Sequence, residues 1–180
     1  MSLDELNLYQ APVIPSKHDY GIGIVGAGSI VRHAHLPAYR NAMFNVVGIF
    51  DQSIKAAKEV ATEFDVPVVY TGLEDLLGDP QVEIVDIAVP APFQPAIAHK
   101  VIASGRSLLC QKPLAVTFQD AKGIVAAAES ANVKIAVNQQ MRWAPSIATA
   151  HSFIERGLLG EPVASTIDVN ILTRWGAWPW

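Results

Sequence analysis

Two short segments of the chain carry residues whose types and spacing could do chemistry. Residues 26–31 read Gly-Ala-Gly-Ser-Ile-Val and directly follow an apolar run, and residues 110–113 read Cys-Gln-Lys-Pro after another such run. Glycines that follow a strand let the backbone approach the pyrophosphate of a dinucleotide. Open α/β sheets bind their ligands at the carboxyl ends of the strands, so Lys112 could meet the reactive end of that dinucleotide. Together the two segments indicate redox chemistry.

The register of the glycine turn follows from the strand before it. The pattern G-x-G-x-x-G also fits one turn earlier, from Gly21, but that match falls inside the predicted strand over residues 20–25. A phosphate turn must follow the strand and open a helix, so we place it at Gly26 and Gly28. Val31 stands in the third glycine position, which predicts a helix that packs less closely on the sheet. The pyrophosphate-binding residues predicted here are Gly26, Gly28, Ser29 and Ile30.

Asp51 adds a second feature of a dinucleotide site. It follows the predicted strand over 45–50, roughly 20 residues past the glycine turn, where a carboxylate accepts hydrogen bonds from the adenosine ribose hydroxyls. Neither Gln52 nor Ser53 is basic, so nothing obvious would neutralise a 2′-phosphate, and the carboxylate would repel one. We therefore predict NAD rather than NADP, with Asp51 and Gln52 in the cofactor site. The alternative is that Asp51 only caps the helix predicted over 53–64.

Composition excludes several other classes of function. With 180 residues, 51% hydrophobic content and a net charge of −4, the chain fits one domain of roughly 100–200 residues plus a remainder. No apolar stretch approaches the roughly 20 residues that span a bilayer, and no signal pattern opens the chain, so we expect a cytoplasmic protein without a membrane partner. The lack of a Lys/Arg block argues against a nucleic-acid partner. The single Cys110 excludes an internal disulfide, and the spacing of the histidines predicts no metal site.

Strand-like and helix-like patterns alternate along the chain, which predicts the α/β class with a doubly wound parallel sheet of the Rossmann type. The predicted strands cover residues 20–25, 45–50, 66–70, 84–89, 107–110 and 133–137. The predicted helices cover 29–40, 53–64, 73–77, 94–104, 117–131 and 146–156. A further strand is predicted from Pro162 to about residue 172.

Three segments follow from this pattern. We expect an N-terminal arm over 1–19, a Rossmann domain over 20–141, and over 142–180 the beginning of a truncated α/β substrate domain. The tail over 174–180 holds three tryptophans with no sequence after them to cover so much apolar area, so we expect the second domain to be cut off.

With these segments placed, the chain resembles the Gfo/Idh/MocA family, named for glucose–fructose oxidoreductase, inositol dehydrogenase and a rhizopine catabolism protein. Four blocks carry the resemblance, at residues 22–41, 103–121, 138–147 and 154–162. It implies an N-terminal Rossmann domain and a C-terminal α/β domain whose open sheet carries the substrate and builds a homo-oligomer. It also implies oxidation or reduction of a sugar or polyol carbon with NAD or NADP.

The resemblance also assigns roles to residues. The family's motif lysine is Lys112, near the nicotinamide and the reacting hydroxyl, where it serves as acid and base or orients the substrate, and Pro113 fixes the turn after it. His35 is interpreted as structural, and Trp143 could instead pack at the domain hinge. The remaining cofactor-binding residues that the resemblance implies are Ala88, Val89, Pro90, Gln111, Arg142 and Trp143.

The chain departs from the family pattern at three places. Gln111 stands where the family usually has Glu, and a neutral amide cannot stabilise a charged lysine. At the end of the fourth predicted strand, the family's usual Thr-Pro-Asn followed by His is replaced by Val89-Pro90-Ala91 followed by Gln94, and we expect polar contacts to be lost there. The aspartate and histidine that complete the family's catalytic group lie in the second domain and are not present in these 180 residues.

Three functions remain open. The first is an NAD-dependent dehydrogenase of a sugar, polyol or related cyclic alcohol, and the departures make a non-catalytic NAD-binding regulator of the same fold the second. A methyltransferase that uses the glycine turn for S-adenosylmethionine is weaker, because it leaves Lys112 and Pro113 unexplained.

Overall fold

A six-stranded parallel sheet forms the centre of the computed structural model, which describes residues 15–168. The strands lie in the order β3-β2-β1-β4-β5-β6, and every neighbouring pair is parallel. This order is that of a dinucleotide-binding Rossmann sheet, so the predicted fold class is confirmed. The strands are β1 (Ile22–Val25), β2 (Val46–Phe50), β3 (Val68–Val69), β4 (Ile84–Ile87), β5 (Ser107–Gln111) and β6 (Ile135–Asn138).

Helices connect the strands and follow the predicted alternation. They are α1 (Leu36–Asn41), α2 (Ile54–Phe64), α3 (Leu73–Gly78), α4 (Gln94–Ala103), α5 (Phe118–Ser130) and α6 (Pro145–Glu155). Side chains of Ser53 and Thr117 accept the N–H groups of Ala56 and Asp120, and so cap the first turns of α2 and α5. A π-helical segment, Val31–His35, leads into α1, and a short 3₁₀ helix, Gln140–Trp143, precedes α6.

The two faces of the sheet build two apolar cores. Ile24 and Ile49 face α1 and α2, whereas Val25 and Ile87 face the other layer, which α3, α4 and α5 form. This alternation is the period of two of a β-strand. Burial of each large aliphatic side chain contributes about 1.5–3 kcal/mol, which holds the carboxyl ends of the strands in a fixed arrangement. Val31, in the third glycine position, is completely buried in the first core.

Several sequence-based boundaries are corrected by the structure. β3 has two residues rather than the five predicted, and the helix predicted over 29–40 contains the π-helical segment. The strand predicted from Pro162 is wrong over 162–168, where the chain forms no strand. Val163 is 97% exposed, and without a paired neighbour among the described residues an extended segment has no ladder of hydrogen bonds. The rest of that prediction, the tryptophan tail and most of the predicted N-terminal arm lie outside the described residues.

The described chain divides into two compact units. One unit ends at Gln139 and contains the whole sheet, and the other begins at Gln140 and contains the 3₁₀ helix and α6. Among residues 15–168, no helix combines the length and the apolar character needed to cross a membrane.

Candidate functional site

The order of strands reverses between β1 and β4, and the carboxyl ends of these two strands meet at Gly26. Its N–H donates to the Phe50 carbonyl oxygen at 2.8 Å, and its φ of +112° is one that side chains rarely adopt. A Cβ at this position would lie 2.4 Å from the Ala88 carbonyl oxygen. Position 26 is therefore glycine because of both its backbone angle and its close approach to β4. In open α/β sheets such a reversal forms the ligand crevice.

Gly28 is a glycine for another reason. A Cβ built there would meet no atom within 4 Å, so its absence leaves open space beside the first residues of the helix. Ser29 follows, and its hydroxyl lies 3.1 Å from His33 Nδ1, while Ile30 is partly exposed. The turn thus presents free space and helix N–H groups, as a bound pyrophosphate requires.

Asp51 joins the glycine turn to the end of β2. Its Oδ2 accepts the Ala27 N–H at 2.8 Å, and its Oδ1 accepts the Ser53 N–H at 2.7 Å. Ser53, not Asp51, caps α2. Each carboxylate oxygen keeps a further lone pair that could accept a ribose hydroxyl. Gln52, the neighbouring predicted residue, is exposed.

The loop after β4 includes the predicted residues 88–90. Ala88 is buried, Val89 is half-buried and Pro90 is exposed. Gln94 Nε2 donates to the Pro113 carbonyl oxygen at 2.6 Å, whereas its buried Oε1 has no hydrogen-bond partner among the described residues. Gln94 therefore links the start of α4 to the loop that follows β5.

Lys112 lies just beyond the carboxyl end of β5 and is exposed. The bond from Lys112 to Pro113 is cis. The Lys112 N–H donates to Oε1 of the neighbouring Gln111 side chain at 2.7 Å. This hydrogen bond fixes which end of the Gln111 amide faces the lysine backbone.

Behind Gln111 lies a buried polar network that the sequence analysis did not find. His35 is buried, and its Nδ1 lies 2.7 Å from Asp86 Oδ2, which also accepts the Tyr39 hydroxyl at 2.9 Å. Its Nε2 lies 3.2 Å from Gln111 Nε2 and 3.1 Å from Asn138 Nδ2. Burial raises the pKa of the Tyr39 hydroxyl far above its ordinary range, and the charge of Asp86 and the hydrogen bond to it raise this pKa further.

One signal for this network was present in the sequence. Asp86 is the only charged residue in the apolar run over 84–89, and a charge in a central strand requires a partner. The partner could not be identified, because His35 is 51 residues away along the chain. Asn138 ends β6 as Gln111 ends β5, and parallel strands bring such ends to one edge of the sheet.

Two further observations concern reactive groups. Burial, and then the Asp86 charge, raise the pKa of the Cys110 thiol to about 12, which makes this thiol a poor nucleophile. Within residues 15–168, no group of three or more His, Cys, Asp or Glu side chains could hold a metal ion.

Arg142 and Trp143 belong to the unit that begins at Gln140. The Arg142 guanidinium lies 5.8 Å from the centre of the Trp143 ring. Both residues line an open groove of about 350 Å³ along α6, together with His151 and Glu155. Their role beside a nicotinamide stays a prediction.

Comparison with known proteins identifies the family. The profile of the Gfo/Idh/MocA oxidoreductases, with an NAD-binding Rossmann fold, matches residues 20–139. The chain is 31% identical over 145 residues to the 1,5-anhydro-D-fructose reductase of Ensifer adhaerens, covering 81% of the chain and 44% of that protein. It is 30% identical to the D-apiose dehydrogenase of Paraburkholderia graminis, covering 77% of the chain and 37% of the relative.

A solved structure supports the same family assignment. An NAD binding oxidoreductase from Klebsiella pneumoniae superposes with a TM-score of 0.75 at 34% identity, over 79% of this chain and 40% of that one. The chain thus spans less than half the length of these relatives. The matched segment is two thirds of the chain and contains the whole sheet with its glycine turn, so the chain belongs to the Gfo/Idh/MocA family of oxidoreductases with an NAD-binding Rossmann fold.

Proposed function

We propose that the chain is the cofactor-binding part of an NAD-dependent oxidoreductase that acts on a sugar, polyol or related cyclic alcohol. One observation carries the cofactor part of the proposal, namely that Asp51 reaches from the end of β2 to the glycine turn. The named relatives, a reductase and a dehydrogenase of sugars, support the substrate class.

The residues that would hold NAD lie along one edge of the sheet. The open space at Gly28 and the helix N–H groups after it would receive the pyrophosphate. Asp51 would accept the adenosine ribose hydroxyls through its unused lone pairs, and Ala88 and Val89 would border the crevice. When bound, the nicotinamide supplies the acceptor or donor of the hydride.

Lys112 would handle the proton of the reacting hydroxyl. As an amine it accepts that proton when an alcohol is oxidised, and as an ammonium it returns the proton in the reverse direction. Gln111 holds the lysine backbone, and Gln94 holds the carbonyl of the next residue. The amine thus extends from a loop anchored at two points.

The preference for NAD gives the first prediction. We expect Asp51→Ala to weaken NAD binding at least tenfold, because a charged hydrogen-bond partner contributes about 1.5–3 kcal/mol. NADP binding should weaken less, because the same change removes repulsion of the 2′-phosphate. Calorimetric titration of both cofactors measures the two dissociation constants.

Two further variants separate the charge from the hydrogen bonds. Asp51→Asn keeps a carbonyl oxygen as acceptor but loses the charge, and should shift the preference towards NADP. Asp19→Ala removes an exposed carboxylate elsewhere in the chain and should change neither constant. Equal losses for the two cofactors in Asp51→Ala would show that Asp51 serves only the fold.

A non-catalytic NAD-binding regulator is the second candidate, and Gln111 favours it. Its neutral amide places no carboxylate beside Lys112, so an acid and base role lacks that support. Turnover distinguishes the two candidates. A panel of polyols and sugars, tested with a protein that extends to the length of the relatives, should give reduction of NAD if the first candidate is correct.

A further inference from the structure

A line of hydrogen bonds runs from the middle of the sheet to the backbone of Lys112. It begins at Asp86, which is fully buried in β4, and passes through His35 to the Gln111 side chain. Gln111 then accepts the Lys112 N–H. The family resemblance predicts only a structural role for His35, and the proton transfer proposed for Lys112 does not involve this residue.

The chemistry of the partners fixes the state of the His35 ring. Gln111 Oε1 is occupied by the Lys112 N–H, so the Gln111 NH₂ group faces His35. An amide NH₂ can only donate, and therefore His35 Nε2 must accept. The carboxylate of Asp86 can only accept, so Nδ1 must carry the proton.

The other groups that face His35 agree with this assignment. The Tyr39 hydroxyl donates to the same Asp86 oxygen, and the Asn138 NH₂ group also points towards His35 Nε2. The ion-pair partner of the ring is Asp86, whose Oδ2 lies 2.7 Å from His35 Nδ1. The ring thus has a carboxylate on one side and amide donors on the other.

We propose that His35 is a positioning residue for Lys112, held as the Nδ1–H tautomer by Asp86 and acting through the Gln111 amide. The proposal rests on the proposed function in that Lys112 is taken as the proton-transfer group. The Gln111 NH₂ group donates and His35 Nε2 accepts, so the two side chains form a matched donor and acceptor pair.

A role limited to packing explains this arrangement less well. A buried carboxylate in a central strand is costly, and apolar residues of similar volume would fill the core without that cost. In the proposed role, Asp86 and His35 instead orient the exposed Lys112 loop through the Gln111 side chain. Asp86 Oδ1 is buried and has no hydrogen-bond partner among the described residues.

The ring state is tested by nitrogen-15 NMR of the histidine-labelled 180-residue chain. We expect His35 to show a protonated Nδ1 and a pyridine-type Nε2. In Gln111→Glu a carboxylate replaces the amide donor, so Nε2 should become protonated. A wild-type ring protonated at Nε2, or a ring unaffected by Gln111→Glu, overturns the proposal.

The positioning role is tested by hydrogen exchange at the Lys112 amide. His35→Asn keeps an N–H for Asp86 but is too short to reach Gln111, so the Lys112 amide should exchange roughly fivefold to tenfold faster, the usual effect of one lost hydrogen bond. His33→Asn, an exposed histidine of the same π-helical segment, is the matched control and should leave this exchange unchanged. Unchanged exchange in His35→Asn, or equal acceleration in both variants, overturns the positioning role.

These readouts do not depend on cofactor binding or turnover. If the chain failed to bind NAD, or if Lys112 transferred no proton, the ring state and the Lys112 exchange rate would still be as expected. Failure of the proposed function is therefore distinguishable from failure of this inference.

Discussion

At the scale of single residues, Gly26 and Gly28 lie two positions apart and are glycines for different physical reasons. Gly26 has a left-handed φ and approaches the Ala88 carbonyl oxygen, whereas Gly28 borders open space. Alanine substitution at each position should therefore affect a different property of the protein. The backbone angle and the close contact require glycine at position 26 for the fold, whereas we propose that the open space at Gly28 serves the ligand.

We expect Gly28→Ala to leave the thermal unfolding midpoint unchanged and to weaken NAD binding tenfold or more, because its methyl group occupies the space for the pyrophosphate. Gly26→Ala should destabilise the fold by about 1–3 kcal/mol, the usual cost of a strained backbone, before any effect on the ligand. Thermal unfolding and NAD titration of both variants measure this. Gly78→Ala, where a Cβ also meets open space, is the control that should bind NAD normally. Normal NAD binding by Gly28→Ala would place the pyrophosphate elsewhere.

Lys112 gives the second prediction at this scale. In a protein that extends to the length of the relatives, Lys112→Met should lower the turnover rate by roughly 10²-fold or more, the scale of a lost acid and base group. The dissociation constant of NAD should change little. Lys122→Met removes an exposed lysine of α5 and should leave turnover unchanged. Retained turnover with lost affinity would make Lys112 a binding residue.

At the scale of elements, a carboxylate joins the end of β3 to the loop after α3. Asp79 Oδ1 accepts the Gln81 N–H and its Oδ2 accepts the Tyr70 hydroxyl, both at 2.8 Å. These two hydrogen bonds, the backbone one first, hold the pKa of Asp79 below its usual 3.8. A carboxyl whose pKa is lowered by folding stabilises the folded state above the unfolded pKa. That stabilisation disappears as the pH falls through the lower, folded-state pKa.

We therefore expect Asp79→Asn to lower the thermal unfolding midpoint at pH 6, with the difference from the wild type shrinking below about pH 4. Tyr70→Phe removes one of the two donors and should show a smaller difference with the same dependence on pH. Thermal unfolding curves measured from about pH 2.5 to about pH 7 test this, because that range spans the ordinary pKa of an aspartate carboxyl. A difference that stays constant over this range would exclude the ionised form as the cause.

The elements were largely predictable from the sequence, and the polar network was not. Apolar runs such as 45–50 and capping residues such as Ser53 are local signals, so strands and helices could be placed. β3 is shorter than its apolar run, because only two of its residues pair with β2. The contact between His35 and Asp86 depends on how the π-helical segment before α1 lies on the sheet, and no local pattern contains that information.

The same distinction applies to the site. Gly26, Asp51 and Lys112 follow three strands directly, and parallel strands bring those positions to one edge of the sheet. Gln94 starts a helix rather than ending a strand, and its bond to the Pro113 carbonyl arises from tertiary packing alone. Gly26, Asp51 and Lys112 were therefore predictable from the strands they follow, whereas the contact made by Gln94 was not.

At the scale of the whole molecule, we expect the 180-residue chain to bind NAD without turning over a polyol. Every residue proposed for the adenosine and pyrophosphate lies in the unit that contains the sheet, whereas the chain spans less than half the length of its named relatives. NAD at about 100 times its dissociation constant should stabilise the fold by about 2.7 kcal/mol. Thermal unfolding with and without NAD, together with a polyol panel, tests both parts. NAD reduction by this chain alone would require catalytic partners of Lys112 within these residues.

The hydrogen bond between Asp51 and the Ala27 N–H has a consequence for the thermodynamics of association. It orders the glycine turn in the free protein, and ordering a residue's backbone costs about 1–2 kcal/mol in conformational entropy. A turn that is already ordered loses little of this entropy when a ligand arrives, so the association rate should be limited by encounter rather than by loop closure. Asp51→Ala should accordingly make the binding entropy of any dinucleotide less favourable, including one that never contacts position 51.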